Sequence, residues 1–141
     1  MPVYETDNPA ATEALGERLA HTLHGGALVL FTGGLGAGKT AFCRGLARGL
    51  GCVDEASSPT FAIVNVYRGP QPLAHFDFYR ISTEEDLLAA GFYDYLEEGA
   101  VVAAEWSENA VLHLPGKRAV RVDIAAPDET HRRITIEEVT L

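Results

Sequence analysis

Residues 33–40 read Gly33-Gly34-Leu35-Gly36-Ala37-Gly38-Lys39-Thr40, which satisfies G-x-x-x-x-G-K-[ST]. Given the chain's own Gly, Lys, Ser and Thr content, a chance match has a probability of roughly two in a thousand. The flanks agree with the motif. Ala27-Leu28-Val29-Leu30-Phe31 is a short, continuously apolar run bounded by glycines, the pattern of a strand covered on both faces. Lys39 to Leu50 predicts a helix, with Phe42, Leu46 and Leu50 in register and Gly51 just past its end. Glycines let consecutive backbone N–H groups converge on phosphate oxygens, and the helix N-terminus adds the positive end of its dipole. Lys39 is placed to reach the β- and γ-phosphates, and the Thr40 hydroxyl to ligate Mg²⁺. The alternative is a glycine-rich turn with an incidental lysine, which leaves the strand–loop–helix context unexplained.

The remaining composition sets bounds. At 141 residues the chain fits one domain, 1–141, and buries roughly 68–70% of its unfolded surface. Apolar residues at 47% and charged residues at 22% exclude a disordered, collagen-like or coiled-coil chain. The longest apolar runs, Ala27–Phe31 and Ala100–Ala104, fall far short of a membrane span. Met1 to Asp7 shows neither the basic nor the apolar part of a secretory signal, so a cytoplasmic location is expected. Two cysteines, Cys43 and Cys52, make no metal spacing or disulfide framework. The net charge of −9 opposes autonomous binding to a phosphate backbone, although a local positive site remains open around Lys39.

Along the chain, Asn8-Pro9 opens a helix that carries Leu15, Leu19 and Leu23 on one face and is expected to stop at Gly25-Gly26. Phe61–Tyr67 and Leu73–Tyr79 read as strands, and Ala100–Ala104 as a second buried strand. Ser82 with Glu85 forms a capping box for a short helix ending at Gly91. Val120/Val122/Ile124 and Ile134/Ile136 predict two antiparallel strands joined through Pro127-Asp128-Glu129. These elements predict an α/β fold: a small P-loop NTPase domain with a mixed, largely parallel sheet, helices on both faces and an antiparallel C-terminal hairpin.

A phosphate loop needs an acid at the end of a neighbouring strand to hold Mg²⁺ or its water. Glu105 follows the apolar run Ala100–Ala104 and so stands where a buried strand emerges; the bland reading is an ordinary strand-end carboxylate. Asp77 lies within His75-Phe76-Asp77-Phe78-Tyr79-Arg80; its bland reading is a buried acid paired with Arg80 or His75. A metal on His75 and Asp77 lacks an evident third ligand, and His21 with His24 lacks a supporting cluster. Thr60, in Ser57-Ser58-Pro59-Thr60-Phe61, stands in a segment suited to sensing the γ-phosphate or to a simple turn. Cys43 and Trp106 read as packing residues.

Taken together, Gly33–Thr40, Ser58-Pro59-Thr60-Phe61, His75–Arg80 and Glu105-Trp106 occur in the order and spacing of the TsaE (YjeE) family, and the chain resembles that family over about residues 9 to 106. The resemblance implies the ATPase of the bacterial machinery that makes N6-threonylcarbamoyladenosine at tRNA position 37, acting with TsaB and TsaD. It implies ATP and Mg²⁺ as cofactors and places ATP on the backbone of Gly33, Gly34, Leu35, Gly36, Ala37 and Gly38 together with Lys39 and Thr40. It also implies Mg²⁺ on Thr40 and Glu105, Asp77 at the catalytic centre and Thr60 in a switch-like loop. Gly34 stands where many relatives carry aspartate. Which of Asp77 and Glu105 orients the attacking water is left open.

Two other functions fit the same motif. A small-molecule kinase needs an arginine-bearing lid, whereas Arg80–Glu98 is short and acidic. A non-hydrolysing nucleotide switch would use the same residues as the ATPase. The acidic balance and the resemblance are compatible if tRNA is reached only through the partner proteins. The stretch before the first helix is the expected place for the base.

Overall fold

The computed structural model describes residues 2–33, 38–55, 64–76, 84–89, 91–105 and 114–141, with backbone only at 54, 55, 84, 86, 87 and 105. In chain order the elements are β1 (Val3–Thr6), α1 (Pro9–Ala20), β2 (Leu28–Gly33), α2 (Lys39–Gly49), β3 (Asp54–Glu55) and β4 (Val64–Arg68). They continue with β5 (Leu73–Phe76), α3 (Glu84–Ala89), α4 (Phe92–Glu97), β6 (Val101–Glu105), β7 (Arg118–Ala125) and β8 (Arg132–Thr140). The strands form one eight-stranded sheet in the order β1-β8-β7-β2-β6-β5-β4-β3. Parallel pairing joins β7, β2, β6 and β5 at the centre, and both wings are antiparallel.

The apolar run of β2 is explained by its place in the middle of that parallel block. Val29 and Phe31 point into a core shared with Leu15 of α1 and with Phe42 and Leu46 of α2. Leu28 and Leu30 point into the opposite core, with Phe76, Phe92, Val102 and Ala104. All four β2 side chains are buried because helices cover both faces. On the second face, Phe92 of α4 stacks edge-on against Phe76 of β5, with centroids 5.3 Å apart.

Several boundaries differ from the sequence expectation for local reasons. Helix α1 stops at Ala20, not at the Gly25-Gly26 pair. There the Leu19 carbonyl accepts both the backbone N–H and the hydroxyl of Thr22, closing a turn, while Leu23 still packs on the core. Gly91 does terminate the first short helix, but with φ of +79° it also starts α4, which the sequence did not reveal. Strands β1 and β3 are likewise additions: four and two residues on the sheet's edges, too short to show a period. The C-terminal hairpin pairs as predicted, with Val122 opposite Ile136 and Ile124 opposite Ile134. The expected strand segments 61–63 and 77–79, and Ser82 of the capping box, lie outside the described residues.

Candidate nucleotide site

Parallel pairing sends the C-terminal ends of β2, β5 and β6 to one edge of the sheet. Gly33 ends β2 there and α2 begins six residues later, the strand and helix placement that the phosphate-loop motif requires. Gly33 has φ of +118° and lies so close to β7 that a Cβ would overlap the Ile124 carbonyl oxygen. Gly38 has φ of +101°, a left-handed conformation that L side chains rarely adopt, and is the N-cap of α2. Among the described residues no side chain caps α2. A helix N-terminus with the positive end of its dipole at this position suits an anion. Lys39 turns back so that Nζ donates to the Gly33 carbonyl at 3.4 Å, spanning the two ends of the loop. Thr40 follows on the first turn and is exposed.

The acids divide. Glu105 is the last residue of β6, and its Cα is paired with that of Phe31 on β2, two residues before Gly33. Its backbone thus reaches the strand end beside the loop, as the sequence suggested. β5 ends at Phe76 on the same edge, immediately before Asp77. Asp77, Thr60 and loop residues Gly34, Leu35, Gly36 and Ala37 lie outside the described residues. Among the described residues no group of three His, Cys, Asp or Glu gathers as a metal cluster, His21 and His24 included. Cys43 is a buried core residue as expected, and Cys52 Sγ donates to the carbonyls of Tyr67 and Gln71 at 3.5 and 3.4 Å.

The structure adds a cleft of about 240 Å³ beside Gly38. Asp7, Asn8 and Thr12 from the start of α1 form one wall, and Glu129, Thr130 and Arg132 from the β7–β8 turn form the other. The turn is built on Asp128, whose Oδ1 accepts the backbone N–H groups of Thr130 at 2.9 Å and His131 at 2.8 Å. The His131 imidazole approaches the same carboxylate at 2.9 Å. That hydrogen bond, reinforced by the two backbone N–H groups, holds the Asp128 carboxyl well below the usual carboxylate range. The Asp128 bond and charge raise the His131 pKa above its ordinary value, with smaller contributions from Asp7 and Glu5. Arg132 donates to the carbonyls of Asp128 and His131 at 3.1 and 2.8 Å, which lays its side chain alongside Gly38. The sequence pointed to the stretch before α1 for this region, but nothing in it singled out Glu129 or Arg132. They stand beside Gly38 only because β8 and β7 fold back beside β2.

Comparison with known proteins settles the family. The family model described as threonylcarbamoyl adenosine biosynthesis protein TsaE matches residues 6–134. The chain belongs to the TsaE family. It is 35% identical over 125 residues to the tRNA threonylcarbamoyladenosine biosynthesis protein TsaE of Treponema pallidum, covering 89% of this chain and 92% of that one. The Bacillus subtilis protein of the same name is 35% identical over 137 residues, covering 96% and 85%. The Synechocystis protein is 46% identical over 102 residues, covering 70% and 65%. A crystal structure of Bacillus subtilis YdiB superposes with a TM-score of 0.74 at 29% identity, over 99% of this chain and 86% of that one. This TsaE-family chain thus has the P-loop α/β fold anticipated from its sequence, and its curated relatives are named for tRNA threonylcarbamoyladenosine biosynthesis.

Proposed function

We propose that this chain is the Mg²⁺-dependent ATP-binding and hydrolysing component of the machinery that makes threonylcarbamoyladenosine at tRNA position 37, working with TsaB and TsaD in the cytoplasm. The observation that carries the proposal is the start of α2: two glycines at positive φ, no side-chain cap among the described residues, and Lys39 folded back across the loop. Such a site is made for the polyphosphate of a nucleotide. The cleft beside Gly38 adjoins it and takes the base and ribose between Asn8 and Arg132.

In this reading Lys39 leaves the Gly33 carbonyl to neutralise charge on the β- and γ-phosphates, while the loop amides fix their orientation. Thr40 and Glu105 hold Mg²⁺, which when bound neutralises the phosphate oxygens. Asp77 or Glu105 orients the attacking water, and Thr60 responds to the γ-phosphate. Intrinsic turnover is slow until a partner completes the site.

The charge distribution supports dependence on protein partners. Residues 81–116 contain eight acids and no lysine or arginine, so nearly all of the net charge of −9 resides in this one segment. Helix α4 packs on one sheet face with α3 beside it, and the pair exposes Glu85, Leu88, Asp94 and Glu97, with Glu98 exposed just past the end of α4. A surface of that sign repels tRNA and suits a protein partner. No helix among the described residues is long and apolar enough to cross a membrane.

Calorimetry of Mg·ATP with the wild-type chain and Lys39→Ala tests the site. The variant is expected to lose binding, and tight binding by it overturns the assignment. Phosphate release with and without TsaB and TsaD then separates hydrolysis from a non-hydrolysing switch, since a switch binds ATP but never turns it over.

A further inference from the structure

Thr32 is the last side chain of β2 before the phosphate loop, and its hydroxyl donates to Asp123 Oδ1 on β7 at 2.7 Å. The two residues are register partners in the parallel β2–β7 pair, and both are half-buried. Val122 and Ile124, on either side of Asp123, belong to the core under α1 and α2, so Asp123 points to the sheet face away from α2. The next residue pair, Gly33 and Ile124, is in backbone contact so close that no Cβ fits between them. The point where the chain leaves the sheet is therefore gripped twice by β7, once through a side chain and once through the main chain. Beyond it, Gly33 turns through φ of +118° and offers its carbonyl to Lys39 Nζ.

A carboxylate beside a loop that receives phosphate is electrostatically adverse, so its charge gives it no reason to be there. Its acceptor oxygen does. Resting on the nucleotide-binding reading above, we infer that Asp123 is a positioning residue for the phosphate loop: by holding the Thr32 hydroxyl it fixes the Thr32–Gly33 peptide, and with it the direction in which the loop leaves β2. This separates the two attributes of the side chain. The acceptor favours phosphate binding and the charge opposes it.

The test is calorimetric Mg·ATP affinity for the wild type, Asp123→Asn, Asp123→Ala, Thr32→Val and the Asp123→Ala/Thr32→Val double variant. Asp123→Asn keeps an acceptor and sheds the charge, so its affinity should equal or exceed that of the wild type. Asp123→Ala and Thr32→Val should each weaken binding about five- to tenfold, and the double variant should be no weaker than either alone. A purely electrostatic role predicts tighter binding by Asp123→Ala, and a purely structural one predicts a lower melting temperature with unchanged affinity. Either result overturns the inference, as does additivity in the double variant. Amide exchange of the nucleotide-free protein supplies a second readout. Exchange at Gly38–Thr40 should quicken in Asp123→Ala and not in Asp123→Asn. If the wild type binds no Mg·ATP, the nucleotide reading falls, and unchanged exchange in Asp123→Ala would remove the loop-positioning role as well.

Discussion

Helices α1 and α2 lie side by side on one face of the sheet and begin beside the same cleft, yet they begin differently. α1 is closed by its own sequence: Asn8 Oδ1 accepts the Ala11 N–H at 2.8 Å and Pro9 follows at the first helical position. α2 starts at Gly38 in a left-handed conformation, with no side-chain cap among the described residues. A helix end that satisfies itself serves stability. One that begins at a glycine, with no described side chain capping it, leaves room for an anion to approach, and here that end follows the phosphate-loop motif. The contrast also explains why the two N-cap residues differ in kind, asparagine in one helix and glycine in the other.

The contrast can be broken experimentally, beginning with the ligand. If α2's end is completed by nucleotide, Mg·ATP at a hundred times its dissociation constant should stabilise the wild type by about 2.7 kcal/mol. Lys39→Ala should show none of this in thermal unfolding; an equal shift in both proteins would deny α2 its role. Gly33→Ala comes next. Positive φ together with overlap on the Ile124 carbonyl should cost about 1–3 kcal/mol in denaturant unfolding, and a loss below about 0.5 kcal/mol would mean that β2 and β7 are free to separate there. At α1, Asn8→Ala should cost about 1 kcal/mol and Asn8→Ser should restore most of it; no recovery with serine would show that Asn8 acts through the cleft and not as a cap.

The smallest effect concerns the turn that forms the far wall of the cleft. His131 titrates above its ordinary value, so its pair with Asp128 stabilises the fold fully below the unfolded histidine value and loses that contribution as pH rises through the raised one. Asp128 is shifted downward, so its contribution holds above the ordinary carboxylate range and disappears only in strong acid. An NMR titration should find His131 shifted upward in the wild type and most of that shift lost in Asp128→Ala, with the smaller part from Asp7 and Glu5 retained. A His131 titration that is the same in both would exclude the pair.

The two flanks of β2 were not equally readable. On the β6 side, the run ending at Glu105 announces a strand covered on both faces with an acid at its exit, and the strand lies where that reading requires. On the β7 side, Asp123 and Arg132 sit in an alternating hairpin whose pattern predicts only two strands. An alternating strand does not say which neighbour it joins. Here β7 pairs with β2 across 91 residues of sequence, measured from Thr32 to Asp123, and β8 brings Arg132 to Gly38. Strand β1 was missed for a related reason: four edge residues acquire their role only by pairing with β8.

Local chemistry was therefore decided by sequence alone: a glycine loop between a buried strand and a helix, a capped α1 and an acid at the end of β6. These depend on conformational freedom, periodicity and neighbouring residues, all of which act over a few positions. The tertiary structure decided what surrounds the loop. Sheet order places β7 against Gly33 and the Asp128 turn opposite Asn8, because pairing partners far apart in the chain are chosen by the packing of the whole sheet.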